Sequence, residues 1–238
     1  MRLKKKIFLY LFWIPLLVIT SCSKNEGEIP VVSSSPLIKK IIKNRGGSIE
    51  VSYFKYDGNK LVSISNGTGF IANYTYTGNV ITRIEETINN QFQNSMDYTY
   101  FEGKLATSVL TRSYGSTISY TYTHNTNGTI SYQQSNGGSI SSGILALLNG
   151  NIVKNEVRSP TIVTYTYEYD TKNNPYKNIL GFTLLINESE MYSTNNLTID
   201  NRNYGRNYKF KYDTSGFPIE RQTFDASGNS GDLNQYFY

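Results

Sequence analysis

Along most of the chain, ring-bearing residues alternate with small hydroxyl or charged ones. Asn73-Tyr-Thr-Tyr-Thr77, Asp97-Tyr-Thr-Tyr100, Ser119-Tyr-Thr-Tyr-Thr123, Thr164-Tyr-Thr-Tyr167 and Tyr208-Lys-Phe-Lys-Tyr212 all repeat with period two. Successive side chains of an extended strand point to opposite faces, so each segment gathers its rings on one face and Thr, Ser or Lys on the other. Tyr and Thr are both strand formers. The segments run into turns marked by Gly58, Gly78, Gly103, Gly128 and Gly150, which stand 20 to 25 residues apart. Gly, with its Asn and Asp neighbours, accepts the positive φ of tight hairpins. A branched residue follows each turn: Leu61, Val80, Leu105, Ile130 and Ile152.

Self-similarity at this spacing defines a repeat. Units beginning at Val51, Asn73, Asp97, Ser119, Thr164 and Tyr208 are clear, and Ile144–Ile152 is a degenerate seventh copy. The predicted fold is all-β, an antiparallel meander of about 12–16 short strands in Tyr-strand/Gly-turn repeats of ~22 residues. So long a twisted sheet cannot stay flat, and it is expected to curl into a barrel-like or curved single sheet. A helix could be argued only at Leu37–Ile42 and Tyr176–Leu185. The first of these is assigned to the opening strand.

The N-terminus departs from this pattern. Arg2, Lys4, Lys5 and Lys6 precede an apolar run from Ile7 to Ile19 that is interrupted by Pro15. The run is too short for a bilayer core, which needs about 20 residues, but it fits the apolar region of a signal peptide. It ends in Ile19-Thr20-Ser21-Cys22, which resembles the lipobox of bacterial lipoproteins. The resemblance implies cleavage before Cys22, its lipidation, and attachment to a membrane through that N-terminal lipid. With Ser23 rather than Asp next in line, the same resemblance to diderm lipoproteins implies the outer membrane. The expected organisation is a signal peptide over 1–21, a flexible Ser/Pro/Glu tether over 22–36 and the repeat β domain over 37–238.

The lone Cys excludes a disulfide framework, and one Cys with one His leaves no Cys/His zinc site. Removing the leader reduces 23 basic residues to 19 against 18 acidic ones. No electrostatic footprint for nucleic acid remains.

Tyr56-Asp-Gly-Asn-Lys-Leu61 and Tyr212-Asp-Thr-Ser-Gly216 resemble the Tyr-Asp repeats of bacterial Rhs-type shells. The lipobox, the Tyr-rich repeats and Tyr169-Asp-Thr-Lys-Asn-Asn-Pro-Tyr176 resemble a family of lipoproteins of unknown function with a porin-like β fold. That resemblance covers residues 37–238. It implies the fold and carries no activity.

Candidate chemistry is sparse. His124 is expected as a solvated turn residue, with no Gly-x-Ser-x-Gly elbow to partner it. Asp57, Asp170 and Asp213 open equivalent turns with one carboxylate each, which suits Asx-turn bonding better than Ca²⁺. Glu85 and Glu86 would face opposite sides of a strand, and Glu188 and Glu190 fall in a loop. Glycosidase work needs two carboxyls ~5–10 Å apart across a cleft. No catalytic residue, metal or cofactor is expected. The Tyr ladders either fill the interior or form a stacking platform for sugars, with Tyr76, Tyr100, Tyr122 and Tyr167 as its members. The irregular stretch 174–196 interrupts the repeat and adds Tyr176, Phe182 and Tyr192 as candidate ligand contacts.

These features describe an outer-membrane lipoprotein serving as a non-enzymatic ligand-binding or scaffold module, with a glycan or another cell-envelope component as partner. One alternative is an integral outer-membrane β-barrel, since the terminal Tyr236-Phe-Tyr238 resembles an assembly signal. The other is a polysaccharide-acting hydrolase.

Overall fold

A computed structural model describes residues 35–186, 193–202 and 205–238. The expected signal peptide, Cys22, the expected tether up to Ser34, Glu188, Glu190 and Tyr192 lie outside the described residues.

Hydrogen bonding resolves the repeats into strands in simple meander order. The first four are β1 (Lys40–Arg45), β2 (Ser48–Asp57), β3 (Lys60–Asn66) and β4 (Phe70–Thr77). They are followed by β5 (Val80–Ile88), β6 (Gln91–Phe101), β7 (Lys104–Arg112) and β8 (Thr117–His124). The next four are β9 (Ile130–Asn136), β10 (Ser139–Leu148), β11 (Asn151–Ser159) and β12 (Val163–Tyr169). After a longer connection come β13 (Leu197–Asp200), β14 (Arg206–Tyr212), β15 (Pro218–Asp225) and β16 (Ser230–Phe237). Each strand pairs with the next, and β1 pairs antiparallel with β16 from Lys40↔Phe237 to Asn44↔Leu233, so the sheet closes. Closure leaves no unpaired edge. The opening strand begins three residues later than the apolar run from Leu37 suggested. Tyr176–Leu185 forms turns and a single 3₁₀ turn at Phe182–Leu184 rather than a helix.

The rings turn inward. Tyr98, Tyr122, Tyr132, Tyr167, Tyr208 and Tyr236 are buried, while the alternating Thr75, Thr99, Thr121, Lys209 and Lys211 are exposed. The branched residues after the turns complete the interior. Leu61, Ile81 and Leu105 are at most 1% exposed, and each such side chain contributes about 1.5–3 kcal/mol on burial.

In five hairpins the pairing register slips just beyond the turn, between Lys55/Tyr56, Thr75/Tyr76, Thr99/Tyr100, Ala146/Leu147 and Lys211/Tyr212. Such a bulge adds local twist and curls the sheet. At this level side chains tie neighbouring hairpins together. Tyr56 donates its hydroxyl to Ile38 O (2.7 Å), Tyr100 to Ile81 O (2.7 Å) and Tyr238 to Pro218 O (3.0 Å). His124 takes the same place in its hairpin, with Nε2 2.9 Å from Leu105 O. It is half-buried at the end of β8 and not the solvated turn residue expected, because its ring occupies a position that Tyr fills in the other repeats.

From the long β12–β13 connection, residues 176–186 fold into the end of the barrel that carries the Gly-marked turns. Phe182 is 0% exposed, and Ile179 and Leu185 are nearly as buried, in one core with Leu61, Ile81 and Leu105. Leu180 N–H donates to Asn59 O in the β2–β3 turn, and Gly181 lies against the backbone of Asn79–Ile81. Asn178 reaches Pro36 O at 2.8 Å. A Cβ at Gly181, whose φ is +77°, would stand 3.1 Å from Asn79 O, so the close approach requires glycine. This end of the barrel is plugged.

Candidate binding lumen

The Tyr169–Tyr176 element latches the plug. Asp170 accepts the backbone N–H of Lys172 and of Asn196, the Asn196 amide, and the Tyr212 hydroxyl from the next hairpin. Asn173 donates to Ser215 O, and Asn174 folds over Tyr176 N–H. Asn151 Oδ1 receives the N–H groups of Thr194 and Asn195. A buried amide network of this kind is favourable when its groups are paired. Burial, aided by Asp170, raises the Tyr212 phenol above its ordinary value, and burial does the same for Tyr56 and Tyr76. All three remain neutral donors in physiological conditions.

Beyond the plug, polar side chains interrupt the ring-bearing inner face on β1, β2, β15 and β16. A cavity of about 260 Å³ is lined there by Lys43, Glu50, Arg221 and Asn234, by the latch residue Asn196, and by Tyr176, Phe210 and Tyr236. Lys43 and Arg221 also line a larger space of about 1030 Å³ toward the opposite end. That space carries Arg45, Arg202 and Arg206 together with Asp200, Asp225 and Asp232. Lys43 and Arg45 pair with Asp232 at 3.3 and 3.2 Å across the β1–β16 seam, and Arg202 pairs with Asp200 at 2.9 Å. Burial acts to raise the Asp232 carboxyl, but Arg45 and Lys43 outweigh it and hold the group below the usual carboxylate range. A third cavity, about 190 Å³, lies among Met96, Tyr98, Leu110, Tyr120, Tyr122 and Tyr132. There Tyr120 and Tyr122 stack with ring centres 6.1 Å apart.

The residues singled out in the sequence fall into different places. Tyr122 lines the aromatic cavity and Tyr176 the polar one. Tyr76 and Tyr100 spend their hydroxyls on the wall and plug. Tyr167 is buried beneath the Arg202 guanidinium, 5.3 Å from ring centre to cation. Phe182 belongs to the core. Glu85 and Glu86 do face opposite ways: Glu85 pairs with outward Arg83 and Glu86 accepts from Asn94 inside. Asp170 and Asp213 bond turn N–H groups. Lys43, Glu50, Arg221, Asn196 and Asn234 were not anticipated. Most sit where a ring is expected by parity, so a break in the aromatic face was the available signal.

No family model matches the chain, and no curated protein matches its sequence. Its fold is similar to solved structures. One is a porin-like protein from Bacteroides vulgatus ATCC 8482, with a TM-score of 0.56 and 12% identity, covering 86% of this chain and 99% of that one. Another is a porin-like protein from Bacteroides uniformis ATCC 8492, with a TM-score of 0.53 and 12% identity, covering 86% and 98%. The chain therefore shares the closed antiparallel β-barrel of these porin-like proteins.

Proposed function

We propose that the chain is an outer-membrane lipoprotein, anchored through Cys22, whose barrel stands in water and binds a ligand in its half-open lumen without acting as an enzyme. The observation that carries this reading is the outer face of the barrel. Mid-strand Arg83 bridges Asp97 (2.7 Å) and Glu85 (2.9 Å), Glu156 joins Lys154 and Arg158, and Lys211 joins Glu220. Between these pairs lie Thr75, Thr99 and Thr121. In a spanning barrel that face meets lipid, where one Arg or Lys at mid-depth costs about 2–4 kcal/mol. The blocked end argues against through-passage, and the polar space at the other end supports binding of a glycan or another envelope component.

The likeness to porin-like proteins favours a second reading, an integral barrel. Single Cys substitutions at Thr75, Thr99 and Thr121 decide between them, because the native chain has one Cys. With the full-length protein in membranes, a charged, membrane-impermeant maleimide labels all three positions if the barrel stands in water. Protection of all three overturns the proposal. Loss of metabolic palmitate labelling in Cys22→Ser tests the anchor.

A further inference from the structure

We infer that the aromatic cavity against β6–β10 is a binding site for a neutral, single-ring aromatic compound. The inference rests on the lumen-binding reading above and names a ligand class for one wall of that lumen. Apolar side chains turned to an open interior carry it. Met96 is paired with Leu110, and Leu110 with Ile118, across β6, β7 and β8, so the three share one face. All three line the cavity with Tyr120, Tyr122 and Tyr132. Met96, Leu110 and Tyr120 stay only half-buried although they point inward, and the cavity opens to the lumen beside them.

Two small residues hollow this wall. Tyr132 on β9 reaches over Gly143 on β10 to donate its hydroxyl to Asn155 on β11 at 3.1 Å. Its ring therefore lies along the wall and does not stand into the lumen. Tyr122 on β8 leans toward β7, where its hydroxyl meets that of Ser108 at 3.4 Å. The space left between these rings and the facing side chains is about 190 Å³. An apolar cavity of about 150 Å³ takes up benzene, so this one admits a ring with a small substituent.

The lining sets the class of ligand. Among the described residues no charged side chain lines the cavity, and an ion moved there would lose its hydration without gaining a counter-charge. The ionic wall of the lumen is on the other side. In the closed strand order β15, β16, β1 and β2 stand eight strands round from β7, β8, β9 and β10. Tyr rings pack best on another ring in offset or edge contact, and the Met96 thioether gains from an aromatic neighbour. A planar ring is therefore favoured over a saturated one of the same size.

The test is a titration of the full-length protein in detergent micelles, with its methionine methyls labelled with carbon-13 and followed by NMR. The Met96 signal is identified by its loss in Met96→Leu. p-Cresol is expected to shift that signal saturably, whereas partition into the micelle gives a drift without saturation. p-Toluate, the same ring with a carboxylate, and 4-methylcyclohexanol, its saturated counterpart, should each bind at least about tenfold less tightly. Leu110→Trp fills the cavity and should abolish the saturable shift with the melting temperature unchanged or higher. Leu110→Asn, no larger than the residue it replaces, should weaken p-cresol about tenfold and keeps the test decisive if the Trp variant folds poorly. A Met96 shift that does not saturate, or one indifferent to the Leu110 variants, overturns the site. Equal affinity for p-toluate overturns the assignment of a neutral ligand, and equal affinity for 4-methylcyclohexanol overturns the assignment of an aromatic one. Each failure falls on this inference alone, because the polar space lies across the lumen and the outer face is read independently by maleimide labelling.

Discussion

Leu61 donates its backbone N–H to the hydroxyl oxygen of Tyr76 at 3.1 Å, and the same hydroxyl donates to Leu180 O at 3.2 Å. One phenol therefore ties two adjacent hairpins to the plug. Tyr76→Phe keeps the ring and leaves a buried donor and acceptor without it. The expected loss is about 2 kcal/mol, measured by urea denaturation. Tyr100→Phe, which loses the wall bond to Ile81 O and makes no bridge to the plug, should cost less.

Phe182 fills the centre of the plug, its ring 5.9 Å from both Tyr74 and Tyr176. Phe182→Ala should cost about 3–5 kcal/mol. If the plug opens as a unit, amides from 178 to 186 should exchange with deuterium faster than those of β4 and β5. Uniform acceleration across the barrel would show that plug and wall unfold together.

Gly143 lies under Tyr132 on the neighbouring strand. A Cβ there would stand 2.5 Å from the Tyr132 hydroxyl and 2.7 Å from Glu156 O. Gly143→Ala must push the ring away and disturb its bond to Asn155, 3.1 Å. A loss of about 1–3 kcal/mol is expected from the overpacking, read as a fall in melting temperature. Gly143→Ala with Tyr132→Phe should lose less than the sum of the two single changes, since both act on one ring.

Asp232 fastens the seam at which the barrel closes. Its carboxyl is held below the ordinary range when folded, so it favours folding above its unfolded value of about 3.9 and loses that contribution as pH falls through the lower folded value. Thermal stability should decline in acid below about pH 4. Asp232→Asn should be less stable than wild type near neutrality and show a shallower acid decline. High salt should narrow the gap, because the partner Arg45 is largely solvent-exposed.

Much of the fold was legible in the chain because its signals are local. Alternation in Tyr98-Thr-Tyr100 or Tyr120-Thr-Tyr122 needs only the two-residue period of a strand. Gly58, Gly78 and Gly103 each adopt the positive φ their turns require. The sixteen strands among the described residues stand at the upper limit of the 12–16 expected. The candidate site was less legible. Asn196 and Asn234 lie 38 positions apart in sequence and meet at one cavity only because β16 closes onto β1 and the latch bends inward.

The sequence by itself determined that rings and hydroxyls occupy opposite faces, where the turns fall and that the strands follow one another as hairpins. Tertiary structure alone decided which face is the inside, since alternation is symmetric until a sheet curls one way and closes. It also decided that residues 174–186 fill one end, because a segment with no periodicity acquires a place only from the surface it buries. The polar cavity exists for the same reason: it belongs to no strand, and appears where several breaks in the aromatic face are brought round to one another.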